Sequence, residues 1–191
     1  ELVSSVKQLD EAISRQYPEF TELTNPKAVD YKKIQNMLGD DEAFFLQVTE
    51  ESGTSLFYID NNTIDIHATD LTQSELTLLV SNIRHSMDLT RSDIRSYAKM
   101  PAYEIEDAKY IYDRLLKPFE EKINTKKRLV VVLDGAMQNI PLGVLVKSNA
   151  NQNASTIDYR KIKFVGHDIA YSVYPAASSF VALRSLQKRK T

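Results

Sequence analysis

The run Leu129-Val130-Val131-Val132-Leu133, which ends in Asp134-Gly135, decides the fold. A short, continuous apolar stretch of this kind suits a strand covered on both faces, as in a parallel sheet flanked by helices. Asp134 and Gly135 then supply a turn, the aspartate as a cap and the glycine as the residue that permits a sharp reversal. Turns at the carboxyl ends of parallel strands are also where α/β folds place ligands and catalysts. Asp134-Gly135 therefore has a structural and a functional reading. No phosphate-binding glycine pattern follows it, which favours the structural one.

Downstream, Ile140-Pro141-Leu142-Gly143-Val144-Leu145 leads into a polar stretch from Lys147 to Thr156, and a flexible loop is expected over 147–163. Order resumes at Ile169-Ala170-Tyr171-Ser172-Val173-Tyr174, which alternates as a strand should. Pro175 and a terminal helix from about Ala176 to Lys188 follow. Its basic end, Lys188-Arg189-Lys190, suits a helix C-terminus.

Upstream, Tyr103 to Phe119 carries Ile105, Ala108, Ile111, Tyr112, Leu115, Leu116 and Phe119 on one broad helical face, and Pro118 should kink or restart that helix. Before it, Thr72 and Glu75 have capping-box spacing and Leu71 and Leu76 can form a hydrophobic staple. A helix is expected from there to about Asp88, with Leu76, Leu79, Val80, Ile83 and Met87 as its stripe. The polar segment from Thr90 to Lys99 reads as a mobile connector.

Between Ala43 and Ala68 the period becomes that of strands, with turns at Glu51-Ser52-Gly53 and Asp60-Asn61-Asn62. Three antiparallel strands follow. A short helix from Tyr31 to Leu38, with Asp30 as N-cap and Gly39 as its stop, precedes them. At the start of the sequence, Leu2, Val6, Leu9 and Ile13 lie on one face of a helix that ends near Tyr17-Pro18 and must pack on something. The expected organisation is a helical lead-in over 1–40 and a body over 41–191, of α/β class.

Composition narrows the functions open to this body. Lys and Arg total 24 against 26 for Asp and Glu, a net charge of -2, so no field gathers nucleic acid or an anionic membrane. No apolar run approaches the roughly 20 residues of a membrane span. A cytoplasmic setting is expected. There is no cysteine, hence no disulfide, no thiolate metal site and no cysteine nucleophile.

Taken in order, the ending Leu-Leu-Lys-Pro-Phe-Glu (Leu115 to Glu120), the strand into Asp134-Gly135, Ile140-Pro141-Leu142 and the segment Ile169 to Ser179 through Pro175 resemble the amino-terminal half of a CHAT domain. The meander and the capped helix stand in the order that family shows. The resemblance covers essentially the whole chain. It implies a relative of caspases and separases, often fused to TPR repeats, with a partly parallel caspase-like sheet flanked by helices. It also implies a Cys-His dyad in strands beyond the matching stretch, so the parent would be a cysteine peptidase and this half a structural brace without its own activity. Asp134, Gly135, Ile140, Pro141, Leu142 and Pro175 are the motif positions, read as structural. Leu133 stands where the family commonly has Pro, and Leu142 where it commonly has Phe.

The implied partners are the carboxy-terminal catalytic half, the upstream helical repeats and a protein substrate or regulator. The alternative is a catalytically dead interaction or scaffold module. No Gly-x-Ser-x-Gly elbow is present, and Ser178-Ser179 read as helix-start residues. His67 is read at a strand end, His85 on the polar side of a helix and His167 at a strand start. They share no metal-ligand spacing, and no cofactor is expected. If the later strands are absent, an exposed sheet edge should let two copies pair.

Overall fold

The computed structural model describes residues 29–88, 102–150 and 157–188, together with Ala12 and Gln16. The expected opening helix, apart from helical Ala12 and Gln16, and the connector from Thr90 to Lys99 lie outside the described residues.

The first described helix, α1 (Tyr31–Gln35), is capped by Asp30, whose carboxylate accepts from the Lys32 amide at 3.0 Å. Thin as its apolar content is, Ile34 and Leu38 are both buried. Then β1 (Glu42–Glu50), β2 (Gly53–Ile59) and β3 (Ile64–Thr69) form the expected antiparallel meander. Gly53, at φ 139°, sits opposite Glu50, and a Cβ there would lie 2.5 Å from the Thr69 carbonyl oxygen. Backbone conformation and space both require glycine. Asp60 Oδ1 closes the second turn by accepting from the amides of Asn62 and Thr63 at 2.9 and 2.8 Å.

Thr72 caps α2 (Gln73–Met87) by accepting from the Glu75 amide at 3.2 Å. The Glu75 carboxylate accepts from the Tyr110 hydroxyl, at 3.2 Å. Leu71 and Leu76, the staple pair, are buried. The stripe ends on Ser86 rather than Met87: Ser86 Oγ donates to the Ile83 carbonyl at 2.7 Å and accepts from the Glu104 amide at 3.2 Å, while Met87 is exposed. That serine ties the end of α2 to the start of α3 (Ile105–Leu115). The break expected at Pro118 is a 3-10 turn, Lys117–Phe119, after which α4 (Glu120–Ile123) restarts the helix.

β4 (Arg128–Val132) pairs in parallel with β1, with Leu46 opposite Val132. Two 3-10 turns, Gly135–Asn139 and Leu142–Val144, carry the chain to β5 (Val146–Asn149), which pairs antiparallel with β6 (Ile162–Phe164). Here the structure differs from the loop read over 147–163. Its ends form a hairpin pinned by the buried Val146 and Ile162, and 151–156 lie outside the described residues. His167 also differs from its reading: it closes a 3-10 turn, Val165–His167, because Val165 and Ile169 turn inward around it. β7 (Ala170–Val173) then runs parallel beside β4, and α5 (Ala177–Lys188) ends the described chain.

The sheet order is β3-β2-β1-β4-β7, a mixed sheet in an α/β fold. Side chains alternate across it. Ala43, Phe45, Leu56, Tyr58, Leu129, Val131 and Leu133 join α2 and α3 in one core. Phe44, Ile59, Val130 and Val132 join α1 and α5 in the other, centred on Phe180. Each large side chain buried in this way contributes about 1.5–3 kcal/mol against the entropy of ordering the chain. The run Leu129 to Leu133 is apolar throughout because it feeds both cores.

Candidate functional site

The carboxyl ends of β1 and β4 lie side by side, and Asp134 joins them. Its Oδ2 accepts from the Thr49 amide at 3.2 Å and its Oδ1 from the Gly135 amide at 2.8 Å. Its own amide donates to Gln47 Oε1 at 3.1 Å. Gln47 Nε2 in turn donates to Thr49 Oγ1, Thr49 Oγ1 lies 3.0 Å from Thr54 Oγ1, and Thr54 donates to the Leu71 carbonyl at 2.6 Å. Gln47, Thr49 and Thr54 are buried. The result is a polar thread from the β4 turn through β1 and β2 to the entrance of α2.

Both carboxylate oxygens of Asp134 are therefore engaged by backbone amides. Such a group fixes a turn. Gly135 adopts φ 57° with nothing within 4 Å of a would-be Cβ, so conformation alone calls for glycine there. Ile140 and Leu142 are buried in the first core, and Pro141 is exposed, leading into the turn at Leu142–Val144. Pro175 is exposed in the turn from β7 to α5, just after the Tyr174 amide donates to the Val131 carbonyl at 2.9 Å. The six motif positions thus shape the turns that follow β4 and β7 and the 3-10 turn at Leu142–Val144.

A second feature lies at the opposite, amino-terminal ends of β4 and β7. There a cleft of about 290 Å³ is lined by Tyr112, Glu120, Asn124, Lys147, Lys163 and Asp168 among others. Lys147 Nζ, on a side chain only 9% exposed, lies 2.6 Å from Asp168 Oδ2 and 3.3 Å from Glu120 Oε1, and donates to Asn124 Oδ1 at 3.3 Å. Lys163 Nζ lies 3.1 Å from the same Asp168 oxygen. Burial works against the charge on Lys147, but its hydrogen bonds to Asp168 and Glu120 outweigh this and raise its pKa. The Lys147 hydrogen bond holds the Asp168 carboxyl below the usual range. Burial, aided by Glu120, pushes the Tyr112 hydroxyl up. Two cations face two anions here, so the cluster is internally neutralised and clamps the β5–β6 hairpin to α4.

His67 lies within β3 with its ring edge-on to Phe119, His85 is exposed on α2, and His167 stands edge-on to Phe164. The three sit on separate elements. Among the described residues no group of three or more His, Cys, Asp or Glu could hold a metal ion. Ser178 Oγ, in α5, is buried without a hydrogen-bond partner among the described residues. No described helix is long and apolar enough to cross a membrane.

The polar thread was open to discovery in the sequence through Gln47, which shares its strand parity with the core residues Ala43 and Phe45. The lysine clamp gave no such signal, because its members are far apart in the chain. No family model matches the sequence, and no curated protein matches it.

Proposed function

We propose that this chain is the amino-terminal, non-catalytic half of a CHAT-type caspase-like cysteine peptidase, acting in the cytoplasm. It braces the catalytic half and links it to helical repeats upstream. The observation that supports this reading is the outer edge of β7. Ala170, Ser172 and Val173 are exposed, Val173 to 58%, and the strand carries no charge, proline or bulge of the kind that protects a finished edge. A further strand laid beside β7 would continue the parallel half of the sheet. The dyad chemistry would come from that added half, since the chain has no cysteine to form a thiolate.

The test is to label the parent protein with a cysteine-directed peptidase probe and to measure amide exchange of β7 with and without the segment that follows this one in the gene. Labelling of one cysteine and protection of the β7 amides in the longer form are expected. A following segment without a His-Gly strand and a later Cys strand, or β7 amides that exchange equally in both forms, would overturn the reading.

A further inference from the structure

The sheet ends at β3 on the side away from β7, and no described strand lies beyond it. β3 pairs with β2 from Ile64 opposite Ile59 to Thr69 opposite Thr54 without a shift of register. It contains no proline and no lysine, and its one acid, Asp65, is engaged by Lys122. Ile66 is 67% exposed, and Ile64, His67 and Ala68 are exposed beside it. Edges are ordinarily blunted by lysine, proline or a bulge, and this one has none of them.

The turn before β3 sets the direction of its backbone groups. The Asp60 amide donates to the Thr63 carbonyl at 3.0 Å, which makes Asp60 and Thr63 a hydrogen-bonded pair. Alternation along the antiparallel ladder then turns the groups of Asp65, His67 and Thr69 toward β2 and those of Ile64, Ile66 and Ala68 outward. The Thr69 carbonyl oxygen, 2.5 Å from where a Cβ on Gly53 would stand, agrees with this phase. Side chains alternate as well. Asp65 and His67 share the face of Lys122 and Phe119, and Ile64, Ile66 and Ala68 share the other.

We infer that this edge pairs antiparallel with the β3 edge of a second copy, about a dyad at Ile66. The strand's own sequence selects both occupant and register. Outward backbone groups must meet outward ones, so the dyad falls on a residue and not between two. At Asp65 it would set two carboxylates face to face, and at His67 two imidazoles. Nearer either end of the strand it would pair fewer residues. At Ile66 it sets Ile66 against Ile66, Ile64 against Ala68, and Asp65 of each copy against His67 of the other. That last pair is of the non-hydrogen-bonded kind, in which side chains approach most closely, and an imidazole can donate to a carboxylate across it. Such a contact is isologous and closes on two copies. It stands independently of the peptidase reading, which concerns β7 at the far end of the sheet.

Association is measured by sedimentation in the chain carrying Val173→Lys, so that pairing through β7 does not contribute. Dimers are expected. His67→Glu, which faces Asp65 of the second copy, should weaken them at least tenfold, whereas His67→Lys should leave them as tight or tighter. The register is read separately, and this arm decides even where a charged variant unfolds. Because the chain is free of cysteine, Ile66→Cys gives a single thiol. Mild oxidation is expected to link two copies through it, since directly opposed Cα atoms about 5.5 Å apart lie within disulfide reach. Ile64→Cys should stay unlinked, its mate being about 14 Å away, but should link to Ala68→Cys when the two variants are mixed. Monomers at all concentrations, dimers indifferent to both His67 changes, or Ile64→Cys linking to itself as readily as Ile66→Cys would overturn the proposal.

Discussion

The Thr49 amide donates to Asp134 Oδ2 across 3.2 Å, so the last turns of β1 and β4 are held together by a side chain beyond the reach of the strand ladder. Removing the carboxylate leaves the Thr49 and Gly135 amides without their acceptor. Asp134→Ala should therefore lower unfolding free energy by about 1–2 kcal/mol in urea titration, and Asp134→Asn, which keeps one acceptor oxygen, by less.

Gln47 occupies a core position and serves two partners, Asp134 and Thr49. Gln47→Leu preserves much of the volume but leaves the half-buried Asp134 amide and the buried Thr49 hydroxyl short of a partner. A loss of about 1–3 kcal/mol is expected from the same titration. The double variant Gln47→Leu with Asp134→Ala should lose less than the sum of the two, since they share one thread.

Much of this fold is legible in residue order alone. The five-residue run into Asp134-Gly135 gave the two-sided strand, Thr72 and Glu75 gave the start of α2, and Pro118 gave the break after α3. Those signals are local, arising from covalent geometry or from periodicity within one element. The β5–β6 hairpin was hidden because Lys147, Ser148 and Asn149 look solvated, and it is ion pairing with Asp168 and Glu120 that allows Lys147 inside. Likewise Ser86 displaces Met87 because it has a hydrogen-bonding partner on another element, the Glu104 amide. Gln47 stood out by its parity with Ala43 and Phe45, but neither the strand order nor the partners that Gln47 takes could be read from neighbours in sequence.

The clamp makes a pH-dependent prediction. The Asp168 carboxyl is held low by Lys147, and its contribution to stability is present above the unfolded carboxylate pKa and is lost as pH falls through the lower folded value. Lys147 titrates in the opposite sense: its raised pKa gives stability that is full below the unfolded lysine pKa and lost as pH rises through the folded one. Lys147→Met should lower Tm at neutral pH and flatten the fall in Tm at both extremes. Parallel Tm profiles for the two proteins would refute this assignment.

Phe180 is fully buried, with ring centroids 5.3 Å from Phe44 and 5.5 Å from Tyr174. Phe180→Ala should cost about 3–5 kcal/mol by opening a cavity under α5. Hydrogen exchange should then rise first along α5 and β7, whereas α2 and α3, which pack on the other core, should keep their protection.

The exposed edge of β7 predicts self-association of this chain at high concentration. Sedimentation should detect dimers, and Val173→Lys should shift the population toward monomer by placing charge on the edge. A monomer at all concentrations would count against an accessible edge.

The two kinds of pairing that meet at β1 also set an order of events. β1 and β2 are joined by a tight turn through Gly53, so their antiparallel register can be reached within microseconds of collapse. β4 must instead bring Arg128 opposite Glu42 from far along the chain, and every such closure costs loop entropy before any contact rewards it. The meander is thus the template on which the parallel half condenses, and mutations in the Gly53 turn should slow refolding while those beside β7 should mainly hasten unfolding.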